Sequence, residues 1–378
     1  MSSILSMMTP AQVGALTTTQ IASFTSTDMQ VLSTAQAAEL STAQINAISS
    51  AAIVAISSAA IAAMEADIST TQIAFLEASQ LSTATLNAFS TTQLQAVTTA
   101  DINALTSAQV EGLSGNALNK LSSAQLQALT TTNVAALTTT QVGGLTSTTL
   151  NNLGTTNLQA ISTKDVGSIA TGVLSTLSTT QLGALSTLQA AALTSAQLNA
   201  LGAAGTTELQ AISTGDINAL TSAQVGALTS TTLNNLSSAQ LQAITTKDIA
   251  AVSTGAFSNL STTQLGLIST LQVAALLYSQ INALGAAGTT GLQALGTTDI
   301  GVLTTTQVAG LSSTALNNLS SAQLQAITTQ DIPSISTAAI GGLSTVQIGQ
   351  FTSAQINAFV TAQVQAFGTN IQYLDLSA

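Results

Sequence analysis

An apolar residue returns every eight positions along almost the whole chain, and this spacing limits the fold more than any other feature. It steps by eight from Met8 through Leu16, Phe24, Leu32, Leu40, Ile48 and Ile56 to Met64. After an irregular patch at 64–88 it resumes at Phe89 and holds to Leu201, then runs from Ile212 to Leu284 and from Leu295 to Phe367. Self-similarity at a short fixed period makes each unit too small to bury a core alone, so units must stack on their neighbours as a solenoid.

The octad reads apolar, Ser/Thr, Ser/Thr, any, Gln or Asp, Leu/Ile/Val, polar or small, then Ala/Gly/Asn; Leu121 to Ala128 is representative. Ser122 and Gln125 have the spacing of a capping box, in which each side chain satisfies the other residue's backbone N–H. Leu121 and Leu126 then occupy the two positions of a hydrophobic staple. Pro10 falls on the first helical position, where its missing N–H costs nothing. Asp28, Asp101, Asp165, Asp216, Asp248, Asp299 and Asp331 take the place of Gln125 in their units, in a first helical turn that favours a carboxylate. These acids read as caps rather than as metal ligands or catalytic acids. The fold class that follows is all-α, a solenoid of very short helices with one helix per octad. Helices this short do not survive alone, so the staple residues and the small eighth residue must pack between units. Pro333, at the fifth helical position, breaks the rule.

A β-solenoid is the rival architecture, because Ser, Thr, Val and Ile suit strands. Against it, the apolar spacing of five then three does not alternate, and most octads lack the Gly and Asn-Gly corners of tight β-turns.

A longer period overlies the octad. Leu150, Leu233 and Leu316 open identical Leu-Asn-Asn-Leu segments 83 residues apart, as are Asp165, Asp248 and Asp331. Two eleven-residue units, at 201–212 and 284–295, carry GAAGTTELQA and GAAGTTGLQA. The reading is one continuous array over 1–367, followed by a tail at 368–378 that abandons the octad.

Composition excludes most chemistry. The chain has no Cys and no His, three basic residues (Lys120, Lys164 and Lys247), and a net charge of −11 over 378 residues. Nucleic acid is not an expected partner, because it requires clustered cations. No stretch is long and apolar enough for a membrane span. Zinc, haem and iron–sulfur ligation lack their ligands, so no cofactor is expected. Ser is abundant but has no His to activate it, and Ser162 beside Lys164 reads as a cap and its neighbour. Glu65 and Asp67 are the one close acidic pair, without the glycine-containing loop of a calcium site. The chain is therefore expected not to be an enzyme. Asn235, Asn259 and Asn318 open N-glycosylation patterns that the octad itself generates.

Met1 to Met8 lacks the basic region and long apolar core of a cleavable signal. The tail at 368–378, apolar and ending Asp-Leu-Ser-Ala, resembles the uncleaved C-terminal signals of type I secretion. The octads resemble a group of proteobacterial secreted repeat proteins with Leu-Thr-x-x-Gln-Val-x-Ala-type units, over roughly residues 8–367. That resemblance implies an extracellular or cell-surface location. A solenoid without polar caps at its ends invites head-to-tail stacking. The expected function is a self-assembling filament, sheath or biofilm-matrix subunit whose partner is a second copy. The alternative is a surface adhesin, or an ice- or carbohydrate-binding protein presenting a Ser/Thr face to a cell surface or polysaccharide. The residues expected at the assembly interface are Met1, Ile4, Leu5, Met7 and Met8 at one end. At the other they are Phe351, Phe359, Phe367, Ile371, Tyr373, Leu374 and Leu376.

Overall fold

The octad Leu121–Ala128 shows how each unit folds. In the computed structural model, which describes residues 3–374, Ser122 is extended (φ −70°, ψ 163°) and caps the helix Ser123–Ala128. Its hydroxyl accepts the Gln125 N–H at 3.3 Å, while Gln125 Oε1 accepts the Ser122 N–H at 3.0 Å. Leu129 returns to extended backbone (φ −57°, ψ 133°), which ends the helix and opens the next unit. Leu126 and Leu129 are both buried. The same sequence of extended residue, cap and short helix repeats along the chain, and no strand occurs among the described residues. The all-α solenoid is thus observed. Pro10 sits in the first turn of its helix, inside a complete capping box.

The chain divides into two compact units, Met1–Leu185 and Ser186–Ala378, where the sequence reads as a single array. The octad pattern runs through that boundary without a break.

In the first unit, Thr99–Ala104 packs on Ser123–Ala128, which packs in turn on Ser147–Asn152. Every third helix is therefore a neighbour, and one turn of the coil takes a little over three octads. Position 7 marks the same interval: Asn119 Nδ2 donates to the Gly144 carbonyl 25 residues on, and its Oδ1 accepts the Thr146 N–H 27 residues on.

The irregular patch at 64–88 belongs to the same coil. Buried residues Met64, Ile68, Leu76, Leu81 and Phe89 open successive units, so two short units are interleaved with two octads. Pro333 changes its helix as its chemistry demands. Without an N–H it cannot make an α-helical bond, and the segment becomes the 3-10 turn Ile332–Ser334, closed by Ser334 N–H to the Asp331 carbonyl at 2.9 Å.

In the second unit, the eleven-residue units lengthen one helix each. Ser195–Ala204 and Tyr278–Ala286 continue past the usual stop, so that Leu198 and Leu201, or Ile281 and Leu284, lie three apart and are all buried. Residues three apart share a helix face, so three extra residues leave that face unchanged. Each long helix ends near a glycine with positive φ, Gly205 at 152° and Gly288 at 123°. The helices Ser230–Asn235, Thr254–Ser258, Tyr278–Ala286 and Ser313–Asn317 stack one on the next. Three stacking steps thus carry Asn235 to Asn318, and the 83-residue period is three turns of the coil.

Candidate assembly surface

The sequence assigns Gln at the third helical position to capping, and the structure gives its other end a second task. While Gln125 Oε1 holds the cap, its Nε2 donates to the carbonyls of Leu94 at 2.8 Å and Val97 at 2.7 Å, 31 and 28 residues back. These carbonyls close a helix on the preceding turn and belong to the groups a helix end leaves without intrahelical partners. Gln240 reaches Leu209 and Ile212 in the same way, and Gln323 reaches Leu292 and Leu295. Where an eleven-residue unit intervenes, the separations grow by three: Gln307 reaches Val273 and Leu276, 34 and 31 residues back. Where the short units intervene they shrink: Gln72 reaches Ile45 and Ile48, 27 and 24 residues back. The same amide thus closes the helix in its own turn and joins it to the turn before.

Sequence reasoning missed this role, although a signal for it was present. A capping box accepts Glu as readily as Gln, yet the chain places Gln there in about half of its units and Glu only at Glu208. Only an amide can both accept the cap's N–H and donate to carbonyls.

Position 7 is exposed at Gln127, but its amide still reaches the Asn152 carbonyl on the next turn at 3.2 Å. Asn at this position can also take over the cap 27 residues ahead. Asn87 Oδ1 accepts the Ser114 N–H, and the third helical position there is Ala117. Asn119 does the same for Thr146, ahead of Thr149, and Asn282 for Ser312, ahead of Ala315, with 30 residues spanned in the last case. Gln264 shows the conflict when both are present. Asn234 takes the Ser261 N–H at 2.7 Å, and Gln264 Oε1 is left buried without a partner.

Asp28, Asp216 and Asp299 accept their cap residue's N–H as the capping reading requires, whereas three other acids take hydroxyls instead. Asp165, Asp248 and Asp331 are buried, and each accepts the hydroxyl of its own cap residue (Ser162, Thr245, Thr328) and one from the preceding turn (Thr139, Ser222, Thr305). Being shorter and lacking N–H, Asp cannot join the carbonyls, and it takes hydroxyls instead. Near the chain's start Asp28 accepts the Thr25 N–H at 2.9 Å and its hydroxyl at 2.7 Å, and these bonds hold its carboxyl below the usual range. Asp67 of the acidic pair accepts the Thr42 hydroxyl at 2.5 Å, and no group of three or more His, Cys, Asp or Glu among the described residues could hold a metal. All three glycosylation patterns have their amide nitrogen engaged, Asn235 on the Gly202 carbonyl at 2.8 Å, Asn259 on that of Gly255 at 2.7 Å and Asn318 on that of Gly285 at 2.7 Å.

The residues expected at an assembly interface divide into two groups. Ile4 is 62% exposed and Met7 74%, while Ile371 and Tyr373 are exposed by 42% and 46%. Met8 and Leu374 are half-buried. Leu5, Phe351 and Phe367 are buried inside their own units, which removes them from any surface. Phe359 is half-buried between the other two rings, at 5.0 Å from Phe351 and 5.1 Å from Phe367 in edge-to-face contacts. The three phenylalanines therefore form an internal ladder that joins successive octads, as aromatic edges and faces attract. Met1 and Leu376 lie outside the described residues. No helix among those described is long and apolar enough to cross a membrane.

Residues 116–147 and 324–361 match a family model described as the ALTTAQ repeat. No curated protein matches the chain. Both matched segments consist of octads with the cap and cross-turn bonds described above, so the chain is a repeat protein by sequence and by structure.

Proposed function

We propose that this repeat protein is a non-catalytic, extracellular structural subunit that assembles with copies of itself head to tail into a filament, sheath or biofilm matrix. The observation that carries the reading is the exposure of large apolar side chains, Ile4 and Met7 on the first described turn and Ile371 and Tyr373 on the last. Apolar groups of that size gain from being covered, and a net charge of −11 spread over 378 residues opposes contact between copies only weakly. A contact between two different surfaces of one chain propagates rather than closing when its rotation does not return to the start. The side chains of the repeat are committed to caps and cross-turn bonds, which fits a scaffold rather than a catalyst.

The test is size-exclusion chromatography and negative-stain microscopy of the purified full chain, beside Met7→Asp and Tyr373→Asp variants. The expected result is fibres from the parent and short soluble species from both variants, with unchanged helical circular dichroism. A parent chain that stays monomeric at all concentrations would overturn the reading and favour a surface-binding protein.

A further inference from the structure

The bonds that join one turn to the next are left half-made at both described ends of the coil. Gln36 makes the first complete join, from its Nε2 to the carbonyls of Leu5 at 2.8 Å and Met8 at 2.9 Å. Gln12 and Gln20 precede it with the same capping geometry, since each Oε1 accepts its cap's N–H at 2.8 Å. Both are exposed, and neither Nε2 meets an acceptor among the described residues. At the other end, Gln355 and Gln363 make the last joins, to Leu324 and Ile327 and to Ile332 and Ile335. By the same spacing the next carbonyls in line are those of Ile340 and Leu343, then Ile348 and Phe351, then Ile356 and Phe359, and no side chain among the described residues donates to them.

We infer that the Nε2 groups of Gln12 and Gln20 in one copy donate to these carbonyls in the next, so that copies join by the bond that joins turns. This rests on the head-to-tail reading above and specifies the chemistry of its interface. The two surfaces are complementary because each is one half of a contact that the coil already makes many times within itself. The donors are held in place beforehand, since the capping box fixes the Gln side chain and leaves its amide N–H groups pointing away from the helix. Apolar contact through Met7 and Tyr373 supplies attraction, and the paired amides set the register in which one coil continues the other. Asp28, next in the series, has no N–H to donate and limits the join to two amides.

The substitution that isolates this bond is Gln to Glu, because Glu keeps the capping box and replaces only the donor with an acceptor. The Gln12→Glu/Gln20→Glu double variant of the full chain is compared with the parent by light scattering and microscopy. Circular dichroism and thermal melting report whether the fold is retained. The expected result is an unchanged fold and a rise of about tenfold or more in the concentration needed for fibres near neutral pH, as two neutral amide-to-carbonyl contacts become carboxylates facing carbonyls and turn repulsive. At about pH 4 the added carboxyls begin to protonate and regain an O–H donor. Assembly should then recover towards that of the parent at the same pH. A double variant that polymerises like the parent near neutral pH overturns the inference and leaves the head-to-tail reading standing. A parent that never polymerises removes that reading itself. A Gln127→Glu control, altered at an exposed interior position, should assemble like the parent, and its failure to do so would show that added charge alone blocks assembly and would also overturn the inference.

Discussion

Residues 118–129 and 201–212 lie 83 positions apart, one segment in each compact unit, and enter their short helices by different local means. In the first, Leu121 opens the octad, Ser122 and Gln125 form the cap, and the Gln125 amide joins the turn before. In the second, Ala204 stands where Leu121 stood and Gly205, at φ 152°, replaces Ser122 without any side-chain cap. Glu208 replaces Gln125 and cannot donate. Even so, Leu126 and Leu209 are each 1% exposed. Gln127 and Gln210 reach the carbonyls of Asn152 and Asn235 at 3.2 and 3.0 Å. The capping box is one way to enter the short helix, and an extended preceding helix is another. What the two regions share is the buried apolar residue and the contact with the following turn.

Substituting the shared feature should have the largest effect. Leu126→Asp and Leu209→Asp each place an unpaired carboxylate among apolar neighbours, and each is expected to cost several kcal/mol, about 3–5. Chemical denaturation should show similar losses for both. A mild effect at Leu209 would mean the eleven-residue region depends less on its core than the octads do.

The difference between the two regions predicts the next effect in size. Gln125→Glu turns an acceptor towards the carbonyls of Leu94 and Val97 and should cost about 2–4 kcal/mol near neutral pH. Glu208→Gln should stay within about 0.5 kcal/mol, since no join depends on it. Equal costs would show that the cross-turn bond contributes nothing beyond the cap.

The close approach that accompanies the long helix gives a third comparison. A Cβ on Gly202 would lie 2.4 Å from Thr232 Oγ1 and 2.8 Å from its Cα. Gly202→Ala should therefore destabilise by about 1–3 kcal/mol. Gly255, in the helix Thr254–Ser258, has nothing within 4 Å of the same added atom. Gly255→Ala should raise stability by about 0.5–1 kcal/mol through helix propensity and a less flexible unfolded chain. Thermal melts of the two variants should move in opposite directions, and a rise for Gly202→Ala would contradict the packing described.

The smallest effect is expected at position 7. Gln127→Lys and Gln210→Lys replace exposed amides with longer donors that can still reach the carbonyls of Asn152 and Asn235, and each should change stability by less than about 0.5 kcal/mol. A larger loss at either site would raise the amide–carbonyl bond at the surface to the rank of the buried one.

The sequence by itself determined the unit. Ser122, Gln125, Leu121 and Leu126 announce a capped, stapled short helix through side-chain and backbone chemistry within eight residues, and the structure contains it. The placing of seven acids at one octad position, and of Pro10 at a helix start, was legible for the same reason. Sequence alone did not give the residues per turn, because that number follows from which carbonyl each amide meets some 24 to 34 positions away. Nor did it show that Phe351, Phe359 and Phe367 face one another instead of a partner, since their slot in the octad is the same whether the ring lies inside or at an end. The tertiary structure decided these points because they depend on distances between turns. In the coil the third-position amide serves two carbonyls of the turn before, and three extra residues fit wherever they add about one helical turn and return each side chain to its face.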